Sequence, residues 1–191
     1  MKIIAGDWRG RKLSAPASDV TRPTSARSRE ALFSMLVSRL GGFERMRVLD
    51  GFAGTGALGL EALSRGAAHC TFVEPDRAAL AALRSNLDML GAGDRARVLP
   101  RRMAAVGMAA EAVDLVLLDA PYNRGLTLPA IEALGAGGWL KPDALIAAET
   151  SRNETLEGTD FDIVAERRYG KARLTLIRIL ESGATGKIMS S

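Results

Sequence analysis

The chain has 191 residues, 47% of them hydrophobic and 25% charged, with a formal net charge of +4; this is the length and balance of one well-buried globular domain. No apolar run approaches the roughly 20 residues needed to cross a bilayer. Trp8-Arg9-Gly10-Arg11-Lys12 interrupts the N-terminus where a secretory leader would carry its apolar core, so a cytoplasmic location is expected. A single cysteine, Cys70, excludes an internal disulfide, and with only His69 beside it supplies too few ligands for a dedicated zinc site; no metal is expected.

Along the chain, Lys2 to Leu13 reads as a short strand or hairpin and Ala15 to Pro23 as a polar connector. Thr24 is placed to cap a helix from Ser25 to Leu40, buried along Leu32, Phe33, Leu36 and Leu40. From Met46 onward apolar strands alternate with helices, the pattern of a parallel sheet covered on both faces. The strands are Met46 to Asp50, Cys70 to Glu74, Arg97 to Leu99, Val113 to Asp119 and Ala144 to Glu149. The helices are Ala57 to Arg65, Asp76 to Leu90 and Leu126 to Leu134, the last stopped by Gly135, Gly137 and Gly138. Phe161 to Arg167 and Arg173 to Leu180, joined through Tyr169-Gly170, form an antiparallel hairpin, and 183–191 is expected to fray. Residues 1–48 carry ten Lys and Arg against four acids, a local balance of +6 that leaves −2 for the remaining 143 residues. Positive charge gathered in one segment is the footprint of a polyanionic partner such as nucleic acid.

The first strand ends in Asp50 and runs through Gly51-Phe52-Ala53-Gly54-Thr55-Gly56 into a helix. A glycine turn of this kind presents backbone N–H groups at the mouth of the sheet and lets a ligand approach closely. Glu74, at the end of the second strand, is placed to accept hydrogen bonds from two ribose hydroxyls. The same residues satisfy the dinucleotide pattern G-x-G-x-x-G through Gly54, Gly56 and Gly59. Charge separates the readings. Asp50 would oppose a pyrophosphate, whereas S-adenosylmethionine has no phosphate and brings two cations, its ammonium and sulfonium. Adenosylmethionine is the favoured ligand, with a nicotinamide dinucleotide and an inert glycine turn as the alternatives.

Val113 to Asp119, followed by Ala120-Pro121-Tyr122, puts a carboxylate, backbone carbonyls and an aromatic ring at the carboxyl end of an apolar strand. An exocyclic amine on a nucleobase is a poor nucleophile because its lone pair is drawn into the ring. Accepting its two N–H bonds at Asp119 and the Ala120 carbonyl would keep the nitrogen pyramidal, with Tyr122 stacked on the base. Alignment against a reactive sulfonium then supplies most of the catalysis. A strand end and turn with no chemistry is the competing reading of the tetrapeptide alone.

Three stretches carry a resemblance: Ile3 to Leu13; Arg22-Pro23-Thr24 leading into Arg27-Ser28-Arg29-Glu30-Ala31-Leu32-Phe33; and Phe52 to Gly66. Together the sequence resembles the 16S ribosomal RNA guanine-N2 methyltransferase D family from Ile3 to about Leu180. The resemblance implies a doubly wound, seven-stranded, mostly parallel α/β sheet of the class I methyltransferase type, with a C-terminal antiparallel hairpin. It also implies S-adenosylmethionine as donor and methylation of a guanine amine in small-subunit ribosomal RNA, on assembled or partly assembled 30S particles. By position, Asp50, Phe52, Gly54 and Gly56 would border the methionine moiety, and Glu74 and Pro75 the ribose. Backbone groups at Arg102 and Met103 would serve the adenine, since no Asp or Asn follows the third strand. Asp119, Ala120, Pro121 and Tyr122 would hold the base. Family members commonly carry Pro where this chain has Ala120. Arg9, Arg11, Lys12, Arg22, Arg27 and Arg29 fall in the stretch the family devotes to RNA, and Arg167, Arg168, Lys171 and Arg173 around the last hairpin form a second candidate contact. The expected organisation is a basic extension over 1–44, the methyltransferase domain over 45–182, and the tail, in a monomer. An adenine-N6 methyltransferase and a non-catalytic RNA-binding assembly factor are the alternatives.

Overall fold

In the computed structural model, residues 1–15, 26–158 and 160–180 are described; the predicted capping residue Thr24, the connector from residue 16 on and the C-terminal tail lie outside them. The elements run α1 (Ala26–Leu40), β1 (Arg47–Gly51), α2 (Ala57–Ser64), β2 (His69–Val73), α3 (Arg77–Leu90), β3 (Ala96–Leu99), β4 (Val113–Asp119), α4 (Thr127–Ala136), β5 (Leu140–Ser151), β6 (Phe161–Tyr169) and β7 (Ala172–Ile179). They build one seven-stranded sheet in the order β3-β2-β1-β4-β5-β7-β6. Strands β1 to β5 pair in parallel and β7 lies antiparallel to both β5 and β6.

The near-continuous apolar runs follow from burial on both faces. Val48, Leu115, Leu117, Leu145 and Ala147 point into the layer of α1, α2 and α3, which Leu36, Leu63 and Leu83 fill. The alternate residues Leu49, Val116, Leu118, Ile146 and Ala148 pack under α4 against Ala130, Ile131 and Leu134. The chain winds outward from β1 through β2 to β3, then returns to place β4 on the other side of β1. This reversal makes the carboxyl ends of β1 and β4 the topological switch point, where open α/β sheets bind ligands.

Boundaries depart from the sequence reading by two residues or more at α4, β5 and β6, the last of which continues to Tyr169. Gly135 does not stop α4, which runs to Ala136 with Gly137 as its cap. Strand β5 starts at Leu140 rather than Ala144, because Lys141-Pro142-Asp143 forms an exposed irregularity where the pairing jumps from Val113↔Leu140 to Leu115↔Leu145. Pro142 donates no backbone hydrogen bond, so such a stretch sits outside the regular ladder.

The N-terminal segment folds back on itself through a Lys2↔Lys12 bridge and is pinned to α2. Glu61, fully buried, accepts from Ile4 N at 2.7 Å, Ala5 N at 3.0 Å and Arg65 Nε at 2.8 Å. Ser64 Oγ accepts from Trp8 N at 3.0 Å, and Arg95 lies over the Trp8 ring at 4.9 Å. Gly6 has φ +83°, and a side chain there would fall 1.8 Å from the Ser64 carbonyl oxygen. Replacing Glu61 with Ala strips two backbone amides and a guanidinium of their acceptor, a loss of about 3 kcal/mol or more. The variant is expected to unfold at lower urea and to be cut by trypsin at Arg9, Arg11 and Lys12 ahead of the rest. An unchanged midpoint with a protected hairpin would remove Glu61 as the anchor.

Candidate active site

The carboxyl ends of the strands open into a cleft of about 1250 Å³, lined by Asp50, Phe52, Gly54, Glu74, Pro75, Arg102, Met103 and Asp119 to Tyr122. Asp50 and Asp119 therefore face one space. Gly56 is the exception among the expected lining residues: a Cβ there would strike Leu83 Cδ1 at 2.4 Å, so this glycine, at φ +85°, lets α2 and α3 pack together. Gly54 differs. At φ +54° its missing side chain leaves open space.

The glycine loop is wired to the strand ends by carboxylates. Glu74 accepts from Gly54 N through Oε2 and from Asp76 N through Oε1, both at 2.8 Å. Each oxygen retains acceptor capacity for a ligand hydroxyl. Asp76 in turn caps α3, accepting from Ala79 N at 2.8 Å. Asp50 is 1% exposed and accepts from Gly59 N at 2.8 Å. Burial pushes its carboxyl up to about 8; the charges of Asp119 and Glu74 push the same way, and the Gly59 hydrogen bond opposes them. A buried acid with acidic neighbours favours a cation and repels a pyrophosphate. The donor set thus fits adenosylmethionine: a carboxylate for its cationic end, open room over Gly54, and Glu74 for a ribose.

On the other wall, Asp119 ends β4 and Ala120 is buried behind it. The Tyr122 hydroxyl donates to Glu149 Oε1 at 2.5 Å. Glu149, at the matching position of β5, is paired in register with Asp119 and also lines the cleft. Burial pushes its carboxyl up to about 7; the Asp119 charge adds to this and the Tyr122 hydrogen bond opposes it. The sequence reading gave Glu149 no role. Its signal was an acid closing an apolar strand, as Asp50 and Asp119 do.

The expected RNA contacts divide. Arg9, Arg11, Lys12 and Arg27 are exposed, and Arg22 lies outside the described residues. Arg11 Nη2 donates to Met89 O at 3.3 Å, which puts the hairpin tip beside the end of α3 remote from the cleft. Arg29 does not face outward: it is 1% exposed, donates through Nη2 to Lys2 O at 2.6 Å and borders the cleft wall. Docking of the N-terminal hairpin buries it, and that burial lowers its pKa. Arg173 is likewise buried, with Nη1 3.5 Å from Glu166 Oε2. Arg167 and Arg168 are exposed, while Lys171 is exposed and reaches the cleft. Arg152, unassigned from sequence, donates its backbone N–H to Lys171 O at 2.8 Å and is exposed beside it.

The sheet order, the reversed last strand and the acid-rimmed glycine loop are those of a class I methyltransferase. A family model described as Conserved hypothetical protein 95 matches residues 1–178, and the chain belongs to that family. It is 43% identical over 150 residues to the Ribosomal RNA small subunit methyltransferase D of Escherichia coli K12, spanning 78% of this chain and 74% of the relative. The Haemophilus influenzae protein of the same name is 39% identical over 160 residues, 82% of this chain and 81% of its own. The solved structure of Escherichia coli yhhF, described as a candidate methyltransferase, superposes with a TM-score of 0.82 at 38% identity, covering 94% of this chain and 97% of that one. TrmN from Thermus thermophilus shares the fold, with a TM-score of 0.64 at 22% identity over 80% of this chain and 48% of that one.

Proposed function

We propose that this protein transfers a methyl group from S-adenosylmethionine to the exocyclic N2 amine of a guanine in small-subunit ribosomal RNA. The observation that carries the reading is the single cleft holding Asp50 and the open Gly54 loop on one wall and Asp119 to Tyr122 on the other. The names of the Escherichia coli and Haemophilus influenzae relatives support the RNA class, and the three stretches that resemble the guanine-N2 family support the base.

The donor supplies an electrophilic methyl group on a sulfonium. Asp50 and the loop at Phe52 and Gly54 would hold its amino-acid end, Glu74 and Pro75 its ribose, and the backbone at Arg102 and Met103 its adenine. Asp119 accepts one N–H of the target amine and the Ala120 carbonyl the other, so the nitrogen lone pair points across the cleft; Pro121 shapes the turn and Tyr122 stacks on the base. The amine loses its proton after transfer, so no strong base is required. Alignment is the main contribution. Extruding a stacked base costs a few kcal/mol, which favours a displayed loop in an assembled or partly assembled subunit over a free duplex. Exposed Arg9, Arg11, Lys12, Arg27, Arg168 and Lys171, on the 1–44 extension and the last hairpin, contact phosphates in this reading, and the enzyme works as a cytoplasmic monomer.

The test is incubation with labelled donor and unmodified small subunits, followed by mass analysis of the nucleosides. N2-methylguanosine at one site is the expected product. N6-methyladenosine would replace the substrate assignment, and donor binding without incorporation would replace the enzyme by an RNA-binding assembly factor.

A further inference from the structure

Three acids stand on one face of the sheet at the ends of adjacent strands. Asp50 shares its side of β1 with Val48, Asp119 its side of β4 with Leu115 and Leu117, and Glu149 its side of β5 with Leu145 and Ala147. Asp50 takes the donor and Asp119 the amine, which leaves Glu149 unexplained. It is 3% exposed and borders the cleft. Its Oε1 is engaged by the Tyr122 hydroxyl, whereas Oε2 is buried with no hydrogen-bond partner among the described residues. An acceptor kept dry and unpaired is costly unless a ligand donor completes it.

The Watson–Crick edges of the two purines differ at the position next to the amine. Guanine carries N1–H, a donor, beside its N2 amine; adenine carries a bare N1, an acceptor, beside N6. Neighbouring parallel strands lie about 4.8 Å apart, so two carboxylates in register present adjacent acceptors. Guanine satisfies both, while adenine sets its N1 lone pair against the second.

We infer that Glu149 is the specificity-determining residue for the base, its Oε2 accepting the N1–H of guanine while Asp119 and the Ala120 carbonyl hold the N2 amine. This rests on the guanine-N2 reading and adds the group that distinguishes guanine from adenine. Two donors on one carboxylate, the Tyr122 hydroxyl and the guanine N1–H, restore the ionised form against the burial and the Asp119 charge that push the carboxyl up to about 7. The competing structural role is an anchor for the Tyr122 ring, and a comparison of variants separates the two.

The experiment measures methyl transfer from labelled donor to unmodified small subunits by the wild type, Glu149→Gln, Glu149→Ala and Tyr122→Phe, with donor affinity and product nucleosides recorded for each. Tyr122→Phe keeps the ring but removes one donor from Glu149 Oε1, so its kcat/KM is expected to fall, yet by less than that of Glu149→Ala, because Oε2 stays in place. Glu149→Ala is expected to lose roughly tenfold or more in kcat/KM for guanine, the scale on which a site built around a substrate donor responds to its loss, and Glu149→Gln, which keeps one acceptor oxygen, falls between Ala and wild type. Donor affinity stays within about twofold, which also reports that the variants are folded. Wild-type kcat/KM in Glu149→Ala, or equal losses in Glu149→Ala and Tyr122→Phe, would overturn the inference while leaving guanine methylation intact. A wild-type product other than N2-methylguanosine overturns the premise instead, and is visible without any variant.

Discussion

Replacing Asp119 with Ala is expected to lower methyl transfer by about three orders of magnitude in kcat, on the scale of removing one preorganised group at the reacting centre, while donor affinity stays within a few-fold. Asp119 ends β4 at the switch point between β1 and β4 and lines the cleft beside Ala120. Without it the nitrogen relaxes to planarity and its lone pair returns to the ring. The effect on the donor is small because two consequences offset: a negative charge facing the sulfonium is lost, yet Asp50, which Asp119 pushes toward protonation, ionises more readily. Asp119→Asn keeps one acceptor oxygen and is expected to fall between Ala and wild type. Single-turnover transfer from labelled donor, with donor affinity measured by calorimetry, checks both statements. Unchanged turnover in the Ala variant would refute the role.

The second large effect is linked to pH. The Asp50 carboxyl is pushed up to about 8, so at pH 7 the empty site holds a neutral acid, and binding a cation requires its ionised form. Donor binding at pH 7 should therefore release close to one proton, read as a dependence of the calorimetric heat on buffer ionisation enthalpy. Asp50→Asn should abolish that release and weaken binding by roughly tenfold or more, the loss of one charge-assisted contact. Stability moves in the opposite sense. A carboxyl whose folded value lies above its ordinary 3.8 contributes most below that pH, and the contribution is lost as pH rises through about 8. The apo wild type thus loses stability across that window, and Asp50→Asn loses less. Proton release retained in the Asn variant would place the titrating group elsewhere.

The features legible in the sequence are those fixed by short-range pattern. The apolar runs ending in Asp50, Glu74 and Asp119 mark strands whose carboxyl ends meet, and Leu80, Leu83, Leu87 and Leu90 are buried on α3 as their spacing requires. Features decided by who lies beside whom were not legible. Arg29 reads as one more exposed cation until the N-terminal hairpin docks over it and supplies Lys2 O. Glu149 gains its meaning from the register that puts it opposite Asp119, thirty residues away in the chain. Gly54 and Gly56 look alike in sequence, yet one faces open space and the other faces Leu83. Lys141-Pro142-Asp143 falls before the strand that the apolar run from Ala144 marks, and only the irregular pairing against β4 admits it to β5.

Helix α2 joins the cleft to the N-terminal hairpin. Its first turn lends Gly59 N to Asp50 on the cleft wall, and its later turns hold the basic hairpin through Glu61 and Ser64. Five residue steps of helix, from Gly59 to Ser64, set that separation at about 7.5 Å, since each adds about 1.5 Å. Were the hairpin to hold the RNA as proposed, the helix would serve as a caliper between a backbone grip and the target nucleotide, and lengthening a stem by one base pair is expected to shift the modified position without any change in local sequence.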